Sequence, residues 1–390
     1  MVSKKLALLV GALVLSLGMA ELVLRFFFPQ ETMSRVKAMS VRMWTGHSDI
    51  LPYRLVPGSK GRLVTAEYDT AIEINAHGYR GADFDLEKGD RFRILAVGDS
   101  FTFGVGVEGP EAYPALLEKR LDEGGSNRPV EVINAGFASC YYPDTYYLYL
   151  KEIGLGLDPD LILVGFFMGN DIDYLSWGEH VWAEVDEAGL PTRIEKPSVV
   201  AEDGHLVRRV KSLRYRYPVV RESHLMQAIA SVVRSMRVDP RAYFNHWIYR
   251  KEYLPRTQLA IETVQKMFLA MSTLAAGAGV PLVVVMIPAP EQLNPERYTL
   301  DDFDHMQDYD LEKPQRIFSA FFRDHEIRFL DLWPVLRNAA RTRAVYYEAD
   351  THWNPAGQTI ASEEIEEYLR ANGLVPQAAP ANRGVGGPRR

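Results

Sequence analysis

Phe92-Arg93-Ile94-Leu95-Ala96-Val97-Gly98-Asp99-Ser100-Phe101 sets four consecutive apolar residues, Ile94 to Val97, ahead of a glycine and an acidic–hydroxyl pair. A short apolar run closed by glycine has the pattern of a buried strand. A serine just past its end lies at the sheet edge where α/β folds place their ligands. Outward from this stretch the pattern repeats. Residues 113–121 read as a helix, 130–133 as a strand, 146–153 as a helix and 161–167 as a third strand. Further on, residues 257–276 space Ile261, Val264, Phe268, Met271 and Ala275 three and four apart, one face of a helix. A strand at 282–287, a helix at 314–325, a strand at 327–330 and a helix at 359–371 complete the series. Strands alternating with helices need crossover connections. The expected fold is therefore a three-layer α/β domain around a parallel sheet of about five strands.

Composition narrows the rest. The chain has 390 residues, 47% hydrophobic and 24% charged, which is globular. Its net charge of −7 argues against a dedicated nucleic-acid binder. A lone cysteine, Cys140, excludes an internal disulfide and cannot by itself hold a structural zinc.

The first residues bear on location. Lys4 and Lys5 precede an uncharged run from Leu6 to Ala20, and apolar residues resume after Glu21 up to Phe28. A basic flank, an apolar run and small residues at Gly18 and Ala20 read as an export signal. Cleavage after Ala20 is one form. An uncleaved anchor over residues 6–28, with Glu21 near the interface, is the other, and the apolar continuation favours it. The lysines then stay in the cytoplasm and the body lies outside. The expected layout is a signal anchor or signal peptide (1–28), a connecting arm with short strands (29–90), a core (91–172 and 257–372), an inserted hairpin and helical subdomain (173–256), and a disordered tail (373–390). Within the insertion, residues 181–209 are hairpin-like, with turns at Ala188-Gly189 and Asp203-Gly204. Arg208, Arg209, Lys211, Arg214, Arg216 and Arg221 then follow without an acidic residue between 204 and 221. Either this run is a solvated flank, or it meets an anionic glycan or lipid headgroups near the anchor. Trp177, Trp182, Tyr215 and Tyr217 offer sugar-stacking surfaces or packing.

The chemistry concentrates at strand ends. Ser100 needs a base to become a nucleophile; alone it reads as a turn serine. Asp350-Thr351-His352-Trp353-Asn354-Pro355 lies just before the last helix, so His352 offers the base and Asp350 an orienting carboxylate. An oxyanion needs donors; Asn134-Ala135-Gly136 offers a backbone N–H and Gly169-Asn170-Asp171 a side-chain amide. Four such elements at the ends of one sheet outweigh any of them singly. Two look-alikes are set aside. Gly104 to Gly109 fits a dinucleotide fingerprint but begins six residues after the strand and meets Pro110. Gly98-X-Ser100 lacks the second glycine of a nucleophile elbow, since position 102 is Thr.

The ordered set Gly-Asp-Ser (98–100), Gly136, Gly-Asn-Asp (169–171) and Asp350/His352 resembles the SGNH, or GDSL-type, hydrolase superfamily. The match spans about half the chain. The resemblance implies a flavodoxin-like sheet and a serine esterase or O-acetyltransferase. Ser100 would be its nucleophile, His352 and Asp350 its base and orienting group, and Ser100, Gly136 and Asn170 its oxyanion donors, with no metal or organic cofactor. Two departures stand out. Asp350 is two residues before His352 rather than three, a spacing similar to membrane-associated or periplasmic relatives involved in polysaccharide O-acetylation. In addition, Met168 precedes Gly169-Asn170-Asp171 where the family has Gly-X-Asn-Asp. The expected substrate is acetylated cell-surface carbohydrate. A lipid or small acyl ester, or a non-catalytic glycan-binding or assembly role on the same fold, are the alternatives.

Overall fold

The computed structural model describes residues 2–30, 48–65, 67–172, 174, 180–195, 199–202, 205–208, 217–237, 246–294, 309–348 and 350–376. An apolar helix, α1 (Val2–Phe27), opens the chain. Residues 4–27 of it are long and apolar enough to cross a membrane, and the most apolar part of that stretch is exposed. A hairpin follows, β1 (Lys60–Val64) antiparallel to β2 (Asp69–Glu73).

The core then alternates as the sequence predicts. In order come β3 (Phe92–Gly98), the one-turn helix α2 (Ser100–Phe103), α3 (Tyr113–Glu123), β4 (Val130–Gly136), α4 (Pro143–Glu152) and β5 (Leu161–Phe167). The insertion supplies two hairpins, β6 (Val181–Val185) with β7 (Pro191–Glu195) and β8 (Val199–Glu202) with β9 (His205–Arg208). Two helices end it, α5 (Pro218–Glu222) and α6 (His224–Arg237). Then come α7 (Pro255–Gly277), β10 (Leu282–Ile287), α8 (Pro290–Leu293), α9 (Lys313–Asp324), β11 (Arg328–Asp331), α10 (Trp333–Ala340) and α11 (Pro355–Ala371).

Five parallel strands form one sheet in the order β4-β3-β5-β10-β11. This is the doubly wound, flavodoxin-like order, with its switch point between β3 and its neighbours. Strand alternation sorts the core. Leu95, Val97, Ile162, Val164 and Val284 face α4, α7 and α9 through Tyr146, Phe268 and Phe318. Ile94, Ala96, Leu161, Leu163 and Val283 face α3, α10 and α11 through Leu117, Leu336 and Ile365. Three layers result.

Helix α11 begins at Pro355, four residues before the expected 359. Asn354 caps it, its Oδ1 accepting the Ala356 and Gly357 N–H groups at 3.0 and 3.1 Å, and proline occupies the first turn. Proline there gives up no helical bond, because that N–H has no intrahelical partner in any case. Pro143 starts α4 in the same way. On the insertion side, His180 is fully enclosed between the Asp144 carboxylate (2.9 Å from Nδ1) and the Cys140 carbonyl (2.9 Å from Nε2). Trp182 donates its indole N–H to Asp144 at 2.9 Å and packs, half-buried, against the core. Trp177, Tyr215, residues 209–216 of the basic run and the tail beyond 376 lie outside the described residues.

Candidate active site

Ser100 follows β3 directly and opens α2. Asp99 caps that turn, its Oδ1 accepting the Phe101 N–H at 2.9 Å. Burial pushes the Asp99 carboxyl up to about 6, against the Phe101 N–H and the nearby His352, which pull it down. Gly104 ends α2 with φ +85°, in the left-handed region that favours glycine. Gly104 and Gly106 (φ +87°) of the apparent dinucleotide fingerprint are therefore turn residues.

The short turn is held from below and behind. Arg80 is buried, and its guanidinium donates to the carbonyls of Phe103, Gly104 and Val107 while lying over the Phe103 ring. Gly136 packs against the other side of the turn. A Cβ there would stand 2.1 Å from the Phe103 nitrogen and 2.5 Å from the Thr102 carbonyl carbon. Its own N–H donates to Asn134 Oδ1 at 3.0 Å. That commitment corrects the expected role of Gly136. The glycine is needed for close approach of two backbones, and its N–H is not free to meet an oxyanion. Gly136→Ala is therefore expected to cost about 1–3 kcal/mol of stability by overpacking and to displace α2. Thermal melting together with turnover checks this; an unchanged melting temperature would contradict it.

The base arrives from the loop before α11. His352 Nε2 lies 2.7 Å from Ser100 Oγ, and its Nδ1 is hydrogen-bonded to Asp350 Oδ1. Asp350 also accepts the His352 backbone N–H at 3.1 Å, which closes the two-residue loop on itself. The short Asp–His spacing thus still presents the carboxylate to the ring. Burial acts to raise the Asp350 carboxyl, but the hydrogen bond and charge of His352, with the Tyr68 hydroxyl, outweigh it and hold it down at about 2. Asp350 therefore stays ionised throughout the neutral range. Behind the loop, Trp353 is fully buried, edge-on to Phe101 with ring centroids 5.1 Å apart.

Two supports of this loop come from the hairpin. Tyr68 donates its hydroxyl to Asp350 Oδ2 at 2.5 Å. Glu67 accepts the backbone N–H groups of Glu348 and Asp350, each at 2.6 Å. Neither was legible in the sequence, which marks residues 29–90 only as an arm. Tyr68→Phe removes one hydrogen bond to a charged group, worth about 1.5–3 kcal/mol. Turnover is expected to fall about tenfold with KM little changed. Lost melting temperature at full turnover would reduce Tyr68 to packing.

Asn170 lies in the turn after β5, the strand paired with β3. Asp171 fixes that turn: it is wholly buried, its carboxylate accepts the Phe167 N–H at 3.0 Å and the Tyr146 hydroxyl at 3.2 Å, and burial, then Asp99, keeps its carboxyl well above the usual range. The Asn170 Oδ1 is buried without a hydrogen-bond partner. An unpaired buried amide oxygen costs free energy.

Residues 244–385 match the family model described as SGNH hydrolase-like domain, acetyltransferase AlgX. This span holds Asp350 and His352 but neither Ser100 nor Asn170. A probable alginate O-acetylase AlgJ of Azotobacter vinelandii is 25% identical over 138 residues, 34% of this chain and 34% of that protein. The matched stretch is thus about a third of the relative's length. Among solved structures, a putative lipolytic protein of the G-D-S-L family from Desulfitobacterium hafniense overlaps at 14% identity and a TM-score of 0.39, covering 71% of this chain and 99% of that one. A lipase/acylhydrolase from Enterococcus faecalis overlaps at 13% and 0.39, covering 74% and 99%. The fold stands on the sheet order above rather than on these overlaps. In the motif order of its sequence and in the match over residues 244–385, the chain is similar to the SGNH, or GDSL-type, hydrolase superfamily.

Proposed function

We propose that the protein is a membrane-anchored, extracytoplasmic serine esterase or O-acetyltransferase working through an acyl-enzyme on Ser100. The observation that carries this reading is the unbroken chain from Ser100 Oγ through His352 to Asp350, with Nε2 2.7 Å from the hydroxyl. Ser100 Oγ attacks the ester carbonyl while His352 Nε2 takes its proton. The proton then passes to the leaving alcohol oxygen as the carbonyl–oxygen bond breaks. Water or a sugar hydroxyl attacks the acyl carbon next, with His352 again as base. Asp350 is a positioning residue that fixes the imidazole and stabilises its charged form, and Tyr68 and Glu67 position Asp350 in turn. Ser100 N–H, in the first turn of α2 where helices leave such groups unpaired, and the Asn170 amide serve the oxyanion.

Acetylated cell-surface carbohydrate is the substrate class we favour. Its support is the acetyltransferase description of the family model and the O-acetylase name of the relative. The apolar α1 supports an anchor that leaves the catalytic core outside the cytoplasm, with residues 173–256 as an insertion into that core. The test is labelling with a fluorophosphonate probe, followed by partition of labelled acetyl between water and a defined glycan. Labelling of the wild type and not of Ser100→Ala is expected; a wild type that fails to react overturns the catalytic reading. Asp350→Asn should retain labelling but lose most of its rate, because an amide at that position no longer stabilises the imidazolium. An unaltered rate would move the orienting role elsewhere.

A further inference from the structure

Glu21 is the one charged residue between Lys5 and Arg25 of α1, and the body of the protein uses it. Its carboxylate accepts the Ser223 hydroxyl at 2.8 Å and the backbone N–H groups of His224 and Leu225 at 3.0 and 2.8 Å. Arg25 closes the cluster at 3.2 Å, and the Gln30 N–H reaches His224 Nδ1 at 2.8 Å. The apolar helix is thereby fastened to the start of α6.

That fastening sets a depth. At 1.5 Å per residue, Glu21 lies about 24 Å along the helix from Lys5. The hydrocarbon core is about 30 Å thick, so with Lys5 at the inner boundary Glu21 comes within about 6 Å of the outer one. A helix that starts on its carboxylate begins at the depth where interfacial amphipathic helices lie, about 5–10 Å into the headgroup and acyl boundary. α6 has the right face for that place. Met226 and Ile229, three apart, are 39% and 47% exposed, and Val219 of the adjoining α5 is 82% exposed. Gln227, on the other side of α6, is buried and donates to the Val220 carbonyl at 2.9 Å, tying the two helices together. Arg221 stands in α5, and the acid-free basic stretch leading into it supplies the charge that anionic headgroups attract.

We propose that α5 and α6 lie in the outer membrane–water interface with Met226, Ile229 and Val219 in the acyl boundary, and that Glu21 pins them there. The occupant of this apolar face is lipid. The proposal rests on α1 being retained as an anchor, and it adds a second contact that fixes how the body stands on the bilayer. A single point of attachment would leave the core free to swivel. A second contact through α5 and α6 holds one orientation.

The test uses the full chain with Cys140→Ala, carrying one introduced cysteine at Met226, Ile229 or the exposed Asp324 of α9, each labelled with an environment-sensitive fluorophore. The proteins are reconstituted into phosphatidylcholine–phosphatidylglycerol vesicles with or without shallow spin-labelled lipid. Blue-shifted emission quenched by that lipid is expected at 226 and 229, and water-like, unquenched emission at 324. Water-like emission at 226 and 229 from a chain that floats with the vesicles overturns the proposal and leaves the anchor standing. Blue-shifted but unquenched emission there, meaning cover by a second protein copy, overturns it as well. A chain that does not float overturns the anchor and the proposal together. Glu21→Ala, which removes the three bonds to Ser223 and the first residues of α6, should lower quenching at both sites in a chain that still floats; undiminished quenching overturns the pin.

Discussion

Replacing Ser100 or His352 by alanine should lower turnover on a small acetyl ester by about 10⁴ or more, and removing both should be hardly worse. The reason is geometric. Ser100 Oγ lies 2.7 Å from His352 Nε2, so on the proposed mechanism either loss disables the same step. Additive losses in the double variant would mean that the two residues act in different steps. Single variants retaining more than about a tenth of the rate, less than 1.4 kcal/mol of barrier, would remove Ser100 and His352 from the chemistry altogether. Melting temperatures should move little, because the Asp99 cap on the Phe101 N–H and the Phe101–Trp353 packing remain in both variants.

Asn170→Ala is the second large effect. As an oxyanion donor, Asn170 bonds most strongly when negative charge develops on the carbonyl oxygen, and losing such a donor costs about 10²–10³ in kcat. KM should stay near its original value. If Asn170 only formed the turn after β5, the same change would lower stability by about 1 kcal/mol and leave kcat within severalfold. Its buried, unpartnered Oδ1 argues for the first outcome, since that oxygen contributes no bond whose loss would unfold the turn. A drop in melting temperature with near-normal kcat would strike Asn170 from the oxyanion site.

What could be read from the sequence divides along a physical line. The strands of the sheet were legible because both faces are buried, which leaves near-continuous apolar runs such as Leu161–Phe167. Ser100, Asp350 and His352 were legible because each sits in a short motif at a strand or helix end. Gly136 was misread for an equally local reason: a glycine at a strand end looks like an exposed N–H, whereas its use here, admitting the Phe103 backbone, depends on a turn thirty-odd residues earlier. Glu67, Tyr68 and Arg80 carried no local signal at all. Tyr68 meets Asp350 across 282 positions, and Arg80 holds α2 from a turn in a segment that reads as a linker. The start of α11 was placed late because an apolar period marks a helix's buried face, whereas Asn354 and Pro355 mark its end.

The contact between Ser100 and His352 joins residues 252 positions apart. During synthesis, the nucleophile and all five strands of the sheet emerge before the base. Until residues 350–371 arrive and α11 docks on α3, Ser100 is an ordinary hydroxyl with nothing to take its proton. Long-range closure of this kind is slow, because loop entropy must be overcome before the contact rewards it. On the proposed mechanism, the chain would therefore stay inert toward esters until α11 settles against α3.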